Sequence, residues 1–254
     1  MRAVREYLPA ALVFVLGIAL WEAAVFVLAI ESYLLPAPHV IVASFRESSP
    51  VLIEAGLYTF TEALAGYALG CGAAILAAMA ASRSPAFAEL VLPYAIASAS
   101  VPIIALAPLA IIWFGIAQGS KIAIVTLMTF FPTFIGTLRG LLSVPPPSLD
   151  LMRSCAATEW QIFAKLRLPH SLPHVFTALR ACTTLAMIGA VVSEFFGGPV
   201  KSLGVYIKST ASLFQTRQAW SAILVACALG LVFYFAVAIV ERLAMPWHAQ
   251  REAR

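Results

Sequence analysis

The chain has 254 residues, 62% of them hydrophobic and 11% charged, with a formal net charge of +4. Because soluble domains carry roughly a quarter charged residues, this composition excludes a soluble protein and indicates a polytopic membrane protein. The length allows about six spans of roughly 20 residues, with no room for a separate soluble domain. The excess of lysine and arginine therefore reports the orientation of the spans, and we expect no nucleic-acid partner.

Six apolar segments are predicted to cross the membrane as helices, because in lipid only a helix satisfies its own backbone polar groups. Between the first two, residues 31–56 combine prolines and glutamates with a short apolar run, which predicts an amphipathic helix at the membrane surface. The predicted fold is all-α, a polytopic helical membrane bundle that forms a single transmembrane domain over residues 1–254. The predicted spans cover about residues 8–30, 60–81, 87–114, 121–142, 174–196 and 218–243.

The third span is predicted to be kinked or split, because Pro93, Pro102 and Pro108 each remove a backbone donor from a helix. Broken helices are tolerated in membranes where they face protein or a cavity. We therefore choose Ser98, Ser100 and Pro102 as candidates for lining a translocation pathway, since hydroxyl groups and freed carbonyls contact polar solutes. The alternative is that these small residues serve plain helix packing.

The longest stretch of mixed polarity, LMRSCAATEWQIFAKLRLPHSLPHVF over residues 151–176, lies between the fourth and fifth predicted spans. It predicts an amphipathic helix with Ser148 as N-cap and Pro169 at its end. Two interpretations stay open at this point: a docking helix that a partner approaches closely over small residues, and an interfacial helix that stabilises one loop. One arc of the predicted helix holds Leu149, Met152, Ala156, Trp160 and Phe163.

The distribution of basic residues predicts the orientation of the bundle. With six crossings and the N-terminus inside, eleven of the 16 lysine and arginine residues fall in inside segments and the rest in outside segments. The positive-inside rule then places both termini in the cytoplasm, together with the polar stretch between the fourth and fifth spans.

This polar stretch resembles the cytoplasmic EAA loop of the inner-membrane permeases of binding-protein-dependent ABC importers. The family pattern is E-A-A, three residues, G-A-S, a W-Q pair, and an L-P that starts the next span. Trp160 and Gln161 match the pattern directly, as do Leu168 and Pro169. The departures are an aspartate in place of the glutamate and an alanine in place of the glycine. The E-A-A and G-A-S positions are held by Asp150, Leu151, Met152, Ala156, Ala157 and Thr158.

The resemblance covers essentially the whole chain, through segments such as VPIIALAPLAIIWFG, FFPTFIGTLRGL and SEFFGGPVKSLGVYI. These segments are similar to the branch of sulfonate, taurine, nitrate and vitamin-precursor permeases. The resemblance implies a bacterial inner-membrane subunit that is not an enzyme, with a second and often identical permease subunit, an ATPase homodimer and an extracytoplasmic binding protein as partners. The segment EFFGGP is more similar to permeases for heterocyclic vitamins or their precursors, such as a thiamine pyrimidine or riboflavin, than to those for sulfonates.

The resemblance also implies that the loop over about residues 143–173 couples the permease to its ATPase. A short helix in this loop would sit in a groove of the ATPase and move when ATP closes the ATPase dimer. Its movement would switch the bundle between inward- and outward-open states. The residues expected to couple are Asp150, Leu151, Met152, Ala156, Ala157, Thr158, Glu159, Trp160, Gln161 and Pro169.

Three acidic residues in or beside the spans have functional and structural interpretations. Glu194, at the outer end of the fifth span, is either a gate residue or binding-protein contact on the pathway, or an interfacial, solvated carboxylate. Glu62, near the start of the second span, is most simply an interfacial charge that reaches water. Glu22, well inside the first span, is expected to pair with a basic group.

A stand-alone channel or secondary transporter is the alternative class of protein. Such proteins show pseudo-symmetric halves or intramembrane charge pairs, and the sequence shows neither clearly. We expect no metal or cofactor, because His170 and His174 flank a proline turn rather than one helix face. The four cysteines are well separated in the sequence and are expected to be small packing residues.

Overall fold

The computed structural model describes residues 2–246, with the backbone alone for residues 2–7, 10, 11 and 85. Arg251 and Arg254, which enter the topology count, lie outside the described residues. The described chain consists of helices and their connections, which confirms the all-α prediction. Its α-helices are α1 (Arg2–Val27), α2 (Pro38–Ala81), α3 (Pro85–Ala99), α4 (Ala107–Phe114), α5 (Gln118–Leu142), α6 (Pro146–Ser154), α7 (Glu159–Ile162), α8 (Leu168–Phe196), α9 (Leu203–Ser212) and α10 (Thr216–Ala244).

Four helices of the described chain are long and apolar enough to cross a membrane: α2, α5, α8 with the turns that lead into it, and α10. α3 and α4 are apolar together and bent by 71° where they meet, and they make a fifth, broken span if the pair crosses the membrane once. The apolar stretch described in α1, Leu12–Val27, is shorter than a full span. All six predicted segments are therefore helical: four are long spans, the third is the bent pair, and the first is α1, of which 16 apolar residues are described without a gap.

The break in the third span confirms the prediction made from its prolines. α3 ends at Ala99, the chain turns through Pro102 into a 3₁₀ turn over Ile103–Leu106, and α4 follows. Pro93 lies inside α3 without ending it. The break lies at Pro102, where the preceding residue Val101 has left the helix, whereas the residue before Pro93 remains helical.

α2 corrects the predicted separation between a surface helix over residues 31–56 and a second span over residues 60–81. The helix runs without interruption for 44 residues and contains Pro50. At 1.5 Å per residue it is about 66 Å long, more than twice the ~30 Å hydrocarbon core of a bilayer. Leu52 and Ala55 pack in an apolar cluster with α9 and α10, and this packing offsets the hydrogen bond that the proline removes.

α2, α5 and α8 form the centre of the bundle and approach each other closely. A Cβ atom on Gly66 of α2 would lie 2.5 Å from the Cβ atom of Val125 in α5. On Gly140 of α5 it would lie 2.8 Å from the Cβ atom of His174 in α8. Small residues therefore set the spacing of these three helices, as is common where helices pack in a membrane.

A threonine joins the same three helices. The Thr133 hydroxyl of α5 lies 3.3 Å from Sγ of Cys71 in α2 and 3.2 Å from Sγ of Cys182 in α8. Both cysteines are buried, as expected of packing residues, although they converge on one hydroxyl group rather than standing apart. Cys155 and Cys227 are exposed, so the packing prediction is wrong for those two.

The bundle has two distinct ends. At the first, which we call the loop end, Nη1 of Arg167 donates to the carbonyl oxygen of Ser82 (3.3 Å), beside the connection between α5 and α8. At the opposite end, which we call the α9 end, α8 finishes and meets α9. With 10 residues, α9 is about 15 Å long and too short to cross a bilayer.

Candidate functional site

The polar loop at the loop end consists of two short helices rather than the single amphipathic helix that the sequence predicts. α6 begins at Pro146 with Pro145 in the N-cap position, so Ser148 is not the cap. α6 ends at Ser154, and Ala156 has a positive φ of 55°. This residue breaks the predicted arc before α7 begins, so the residues of the arc do not share one helical face.

Ala156 occupies the position after α6 where glycine is the usual residue. The N–H of Ala157 donates to the carbonyl oxygen of Met152 (3.1 Å), and the N–H of Ala156 donates to that of Arg153 (2.9 Å). These bonds close the end of α6 only if Ala156 is left-handed, a conformation that costs a non-glycine residue about 1–2 kcal/mol. The EAA pattern has glycine at this position because glycine adopts the left-handed conformation without steric cost. Ala156 adopts the same conformation and is strained.

Replacing Ala156 with glycine is expected to stabilise the loop by about 1 kcal/mol, because glycine adopts a positive φ without steric cost. Replacing it with valine is expected to destabilise the loop, because a β-branched side chain tolerates this conformation least. The measurement is hydrogen exchange of the peptide that covers residues 150–162 in the reconstituted protein. Equal exchange in the three proteins would contradict the left-handed conformation.

α7 begins with reciprocal capping bonds between Thr158 and Gln161. The N–H of Gln161 donates to Oγ1 of Thr158 (3.3 Å), and the N–H of Thr158 donates to Oε1 of Gln161 (2.9 Å). This arrangement is a capping box, and its T-x-x-Q signature is legible in the sequence. Thr158 and Gln161 therefore fix the shape of the loop, which gives part of the EAA pattern a structural role.

Several predicted coupling residues lie on the surface of this loop. Leu151 and Trp160 are 65% and 69% exposed, and the Trp160 ring stacks on Phe163 with centroids 5.7 Å apart. Asp150 and Glu159 are exposed as well, whereas Ala157 is half-buried. The loop therefore exposes large apolar side chains in the single chain.

Pro169 does not end a helix as predicted. The chain is helical from Glu159 to Phe196, and Pro169 lies in the first turn of α8 after a π-helical turn over Phe163–Arg167. In a regular α-helix the proline ring would clash with the carbonyl group four residues earlier. The wider turn just before Pro169 accommodates the ring, so the loop passes into α8 without a break.

Ser98, Ser100 and Pro102 meet at the break between α3 and α4. Ser98 is half-buried, and the other two are exposed on the surface of the chain. α3 is about 22 Å long at 1.5 Å per residue, so the break lies within the thickness of a bilayer. The Ser100 hydroxyl donates to the carbonyl oxygen of Ile96 (3.4 Å).

Glu194 lies apart from the break, in a buried polar cluster at the α9 end. Its side chain is 0% exposed, so the interpretation as a solvated carboxylate is wrong. Oε1 accepts a hydrogen bond from the Thr59 hydroxyl (2.8 Å), and Oε2 accepts one from the N–H of Gly204 (2.6 Å). The sequence does not predict this cluster, because α9, the short helix that covers Glu194, gives no span signal.

Glu62 and Lys121 complete the cluster and are also 0% exposed, so Glu62 is not an interfacial charge. The Lys121 ammonium group donates to the carbonyl oxygen of Ile116 (2.6 Å) and to the Ser120 hydroxyl (3.1 Å). Neither oxygen of Glu62 accepts a hydrogen bond from the described part of the chain. The cluster therefore places two carboxyl groups and one ammonium group in the interior, where each depends on its neighbours.

Two further acidic residues, Glu22 and Glu241, have basic partners. Nδ1 of His39 lies 2.5 Å from Oε1 of Glu22, so the acidic residue of α1 pairs with a basic group as expected. Nε of Arg180 lies 3.1 Å from Oε2 of Glu241, which joins α8 to α10 near the loop end.

A bundle of apolar spans, one of them broken, with a structured polar loop has the architecture of a membrane permease subunit that works with partner proteins. Residues 70–245 match the protein family described as binding-protein-dependent transport system inner membrane component, and the chain belongs to this family. It is therefore a permease subunit of an ABC importer and not an enzyme. Membership implies an ATPase and a substrate-binding protein as partners.

Three relatives match over most of their length. The chain is 31% identical to formylaminopyrimidine transport permease protein ThiX of Halalkalibacterium halodurans, over 99% of this chain and 100% of the relative. It is 31% identical to riboflavin transport system permease protein RibX of Chloroflexus aurantiacus, over 95% of this chain and 90% of the relative. The putative aliphatic sulfonates transport permease protein SsuC of Bacillus subtilis is 27% identical, over 92% of this chain and 86% of the relative.

A solved structure has a similar fold. The chain matches a chain of the MetNI methionine ABC transporter in inward-facing conformations with a TM-score of 0.57 and 19% sequence identity. The match covers 82% of this chain and 98% of that chain. At this identity the likeness concerns the fold alone.

Proposed function

We propose that this permease carries a heterocyclic vitamin or vitamin precursor, of the riboflavin or thiamine-pyrimidine type, across the bacterial inner membrane. The observation that carries the proposal is the match, at 31% identity, to nearly the whole of two permeases named for riboflavin and formylaminopyrimidine. The alternative is a sulfonate, taurine or nitrate importer, which the 27% identity to a sulfonate permease favours less.

For the assembly, we propose that the chain is a single transmembrane domain over residues 1–254, and that two copies pair in the membrane. The loop end and both termini then face the cytoplasm, in agreement with the positive-inside count. The loop over residues 143–173 docks on the ATPase and transmits its closure. The docking residues are Asp150, Leu151, Met152, Ala156, Ala157, Thr158, Glu159, Trp160, Gln161 and Pro169.

For the pathway, we propose that Ser98, Ser100 and Pro102 line it at the broken span and that Glu194 belongs to its outer gate. The break frees backbone carbonyls within the bilayer, where they contact a polar solute at little cost. Glu194 is fully buried in this conformation, so it reaches the pathway only when α9 moves.

The proposal is tested by purifying the tagged chain in mild detergent from its own cells and identifying every co-purifying protein by mass spectrometry. We expect an ATPase, a binding protein and a second, differently tagged copy of this chain. The complex is then reconstituted, and riboflavin, formylaminopyrimidine and taurine are compared as transported solutes. Transport of taurine alone would establish the sulfonate alternative, and the lack of any ATPase after gentle cross-linking would overturn the assembly.

A further inference from the structure

The N-terminus of α9 is held by side chains of two other helices. The N–H of Gly204 donates to Oε2 of Glu194 in α8 (2.6 Å), and the N–H of Leu203 donates to Oγ1 of Thr59 in α2 (2.9 Å). The Thr59 hydroxyl in turn donates to Oε1 of Glu194 (2.8 Å). Ser202, in the N-cap position of α9, makes no capping hydrogen bond with its side chain. The cap of α9 therefore comes from Thr59 and Glu194.

The N-terminal turn of α9 packs closely against α8 and α2. A Cβ atom on Gly204 would lie 2.3 Å from the carbonyl oxygen of Val191 and 2.6 Å from Oε2 of Glu194, so only glycine allows this approach. Leu203 is fully buried and packs in one apolar cluster with Leu52. A carboxylate at a helix N-terminus is also favoured by the helix dipole. Packing and electrostatics thus act together to keep α9 against α2 and α8.

Glu62 opposes this closed arrangement. It is fully buried beside Glu194, so two carboxyl groups occupy one site, and no N–H or hydroxyl group of the described residues donates to either oxygen of Glu62. Lys121 faces both carboxyl groups, but its ammonium group donates to Ile116 and Ser120 rather than to them. A buried polar group without a partner costs free energy, and water that enters when α9 leaves would remove this cost.

We propose that Thr59 and Glu194 form a latch that holds α9 closed over the α9 end of the pathway, and that Glu62 favours its opening. Glu194 is then a positioning residue, which acts on α9 and not on the solute. The proposal rests on the transport function above, in which the bundle alternates between two open states. Because the ATPase and the latch bias the same equilibrium, a weaker latch shifts the bundle toward the outward-open state that ATP favours.

Hydrogen exchange of α9 tests the latch directly. The assembled complex in lipid nanodiscs is compared with Thr59→Val and Glu194→Gln variants, and exchange is followed in the peptide that covers residues 203–212. Loss of a charged, buried hydrogen bond is expected to speed local opening by about ten- to a hundredfold. Glu62→Gln is expected to slow it, because the amide group donates to Glu194. The control is Glu54→Gln, an exposed residue of α2, which is expected to exchange like the wild type.

ATP hydrolysis without the binding protein gives a second readout that a loss of folding would not mimic. Thr59→Val and Glu194→Gln are expected to raise hydrolysis by roughly fivefold or more, and Glu62→Gln to lower it. Unchanged α9 exchange in Glu194→Gln, or effects of the same sign in Glu62→Gln and Glu194→Gln, would overturn the latch. If the wild-type chain recovers no ATPase, the assembly proposed above fails, while exchange in the permease alone still decides the latch.

Discussion

Arginine in place of Ala157 is expected to separate this permease from its ATPase while leaving the helical bundle folded. Ala157 lies in the turn between α6 and α7, half-buried, on a loop where Leu151 and Trp160 are exposed. A long charged side chain there would overfill the proposed contact at a cost of about 2 kcal/mol. That cost corresponds to roughly thirtyfold weaker binding, and transport is expected to fall with it. The measurement is the amount of ATPase recovered with equal amounts of tagged permease.

Size and folding are controlled separately in this experiment. Ala157→Ser keeps the side chain small and is expected to recover as much ATPase as the wild type. Ala157→Leu adds bulk without charge, so it shows whether the contact rejects size alone. Each variant is checked by size-exclusion chromatography and thermal unfolding. Wild-type recovery of the ATPase by Ala157→Arg would remove Ala157 from the docking surface.

The sequence predicts the membrane class, the apolar segments and the broken span because these features depend on local composition. A bilayer admits only helices or closed barrels, so runs of apolar residues leave little choice of structure. Pro102 acts on the residue directly before it, and the chain bends there as expected. The polar loop was located for the same reason, since its composition differs from everything around it.

The sequence does not predict features that depend on contacts between distant segments. The sequence predicts a surface helix over residues 31–56 and a separate span from residue 60, yet α2 is one helix because Leu52 and Ala55 are buried against α9 and α10. The sequence predicts Glu62 as an interfacial charge and Glu194 as either a gate residue or an interfacial carboxylate, because nothing local links two residues 132 positions apart in the chain. Only the folded bundle shows that they meet under α9, a helix too short to give a span signal.

The break in the polar loop has a different origin. Helical periodicity alone extends the amphipathic arc across Ala156, because alanine is the best helix former. The conformation of that residue is set by the closing bonds of α6 and by the capping box of α7, two local signals that compete with periodicity. Over the four or five residues between α6 and α7, periodicity predicts a continuous helix and the capping signatures predict a break. The chain breaks there, as the capping signatures predict.

Alanine in place of Gly70 is expected to reduce the stability of the bundle more than any other single methyl group placed on α2. A Cβ atom there would lie 2.1 Å from Oγ1 of Thr129 and 2.5 Å from the carbonyl oxygen of Thr126. The second contact is with backbone, so it is relieved only if α2 and α5 move apart. We expect a loss of about 3 kcal/mol, which is at the upper end for an overpacked core.

Gly72→Ala is the matched control, two residues further along the same helix, where a Cβ atom would meet nothing within 4 Å. Alanine has a higher helix propensity than glycine by about 1 kcal/mol, so this variant is expected to be neutral or more stable than the wild type. The two substitutions are chemically identical and differ only in what the new methyl group meets. Thermal unfolding in one detergent therefore gives shifts of opposite sign if α2 and α5 touch at Gly70. Shifts of the same sign would mean that helix propensity, and not the close approach of these two helices, sets the effect of a methyl group at this depth.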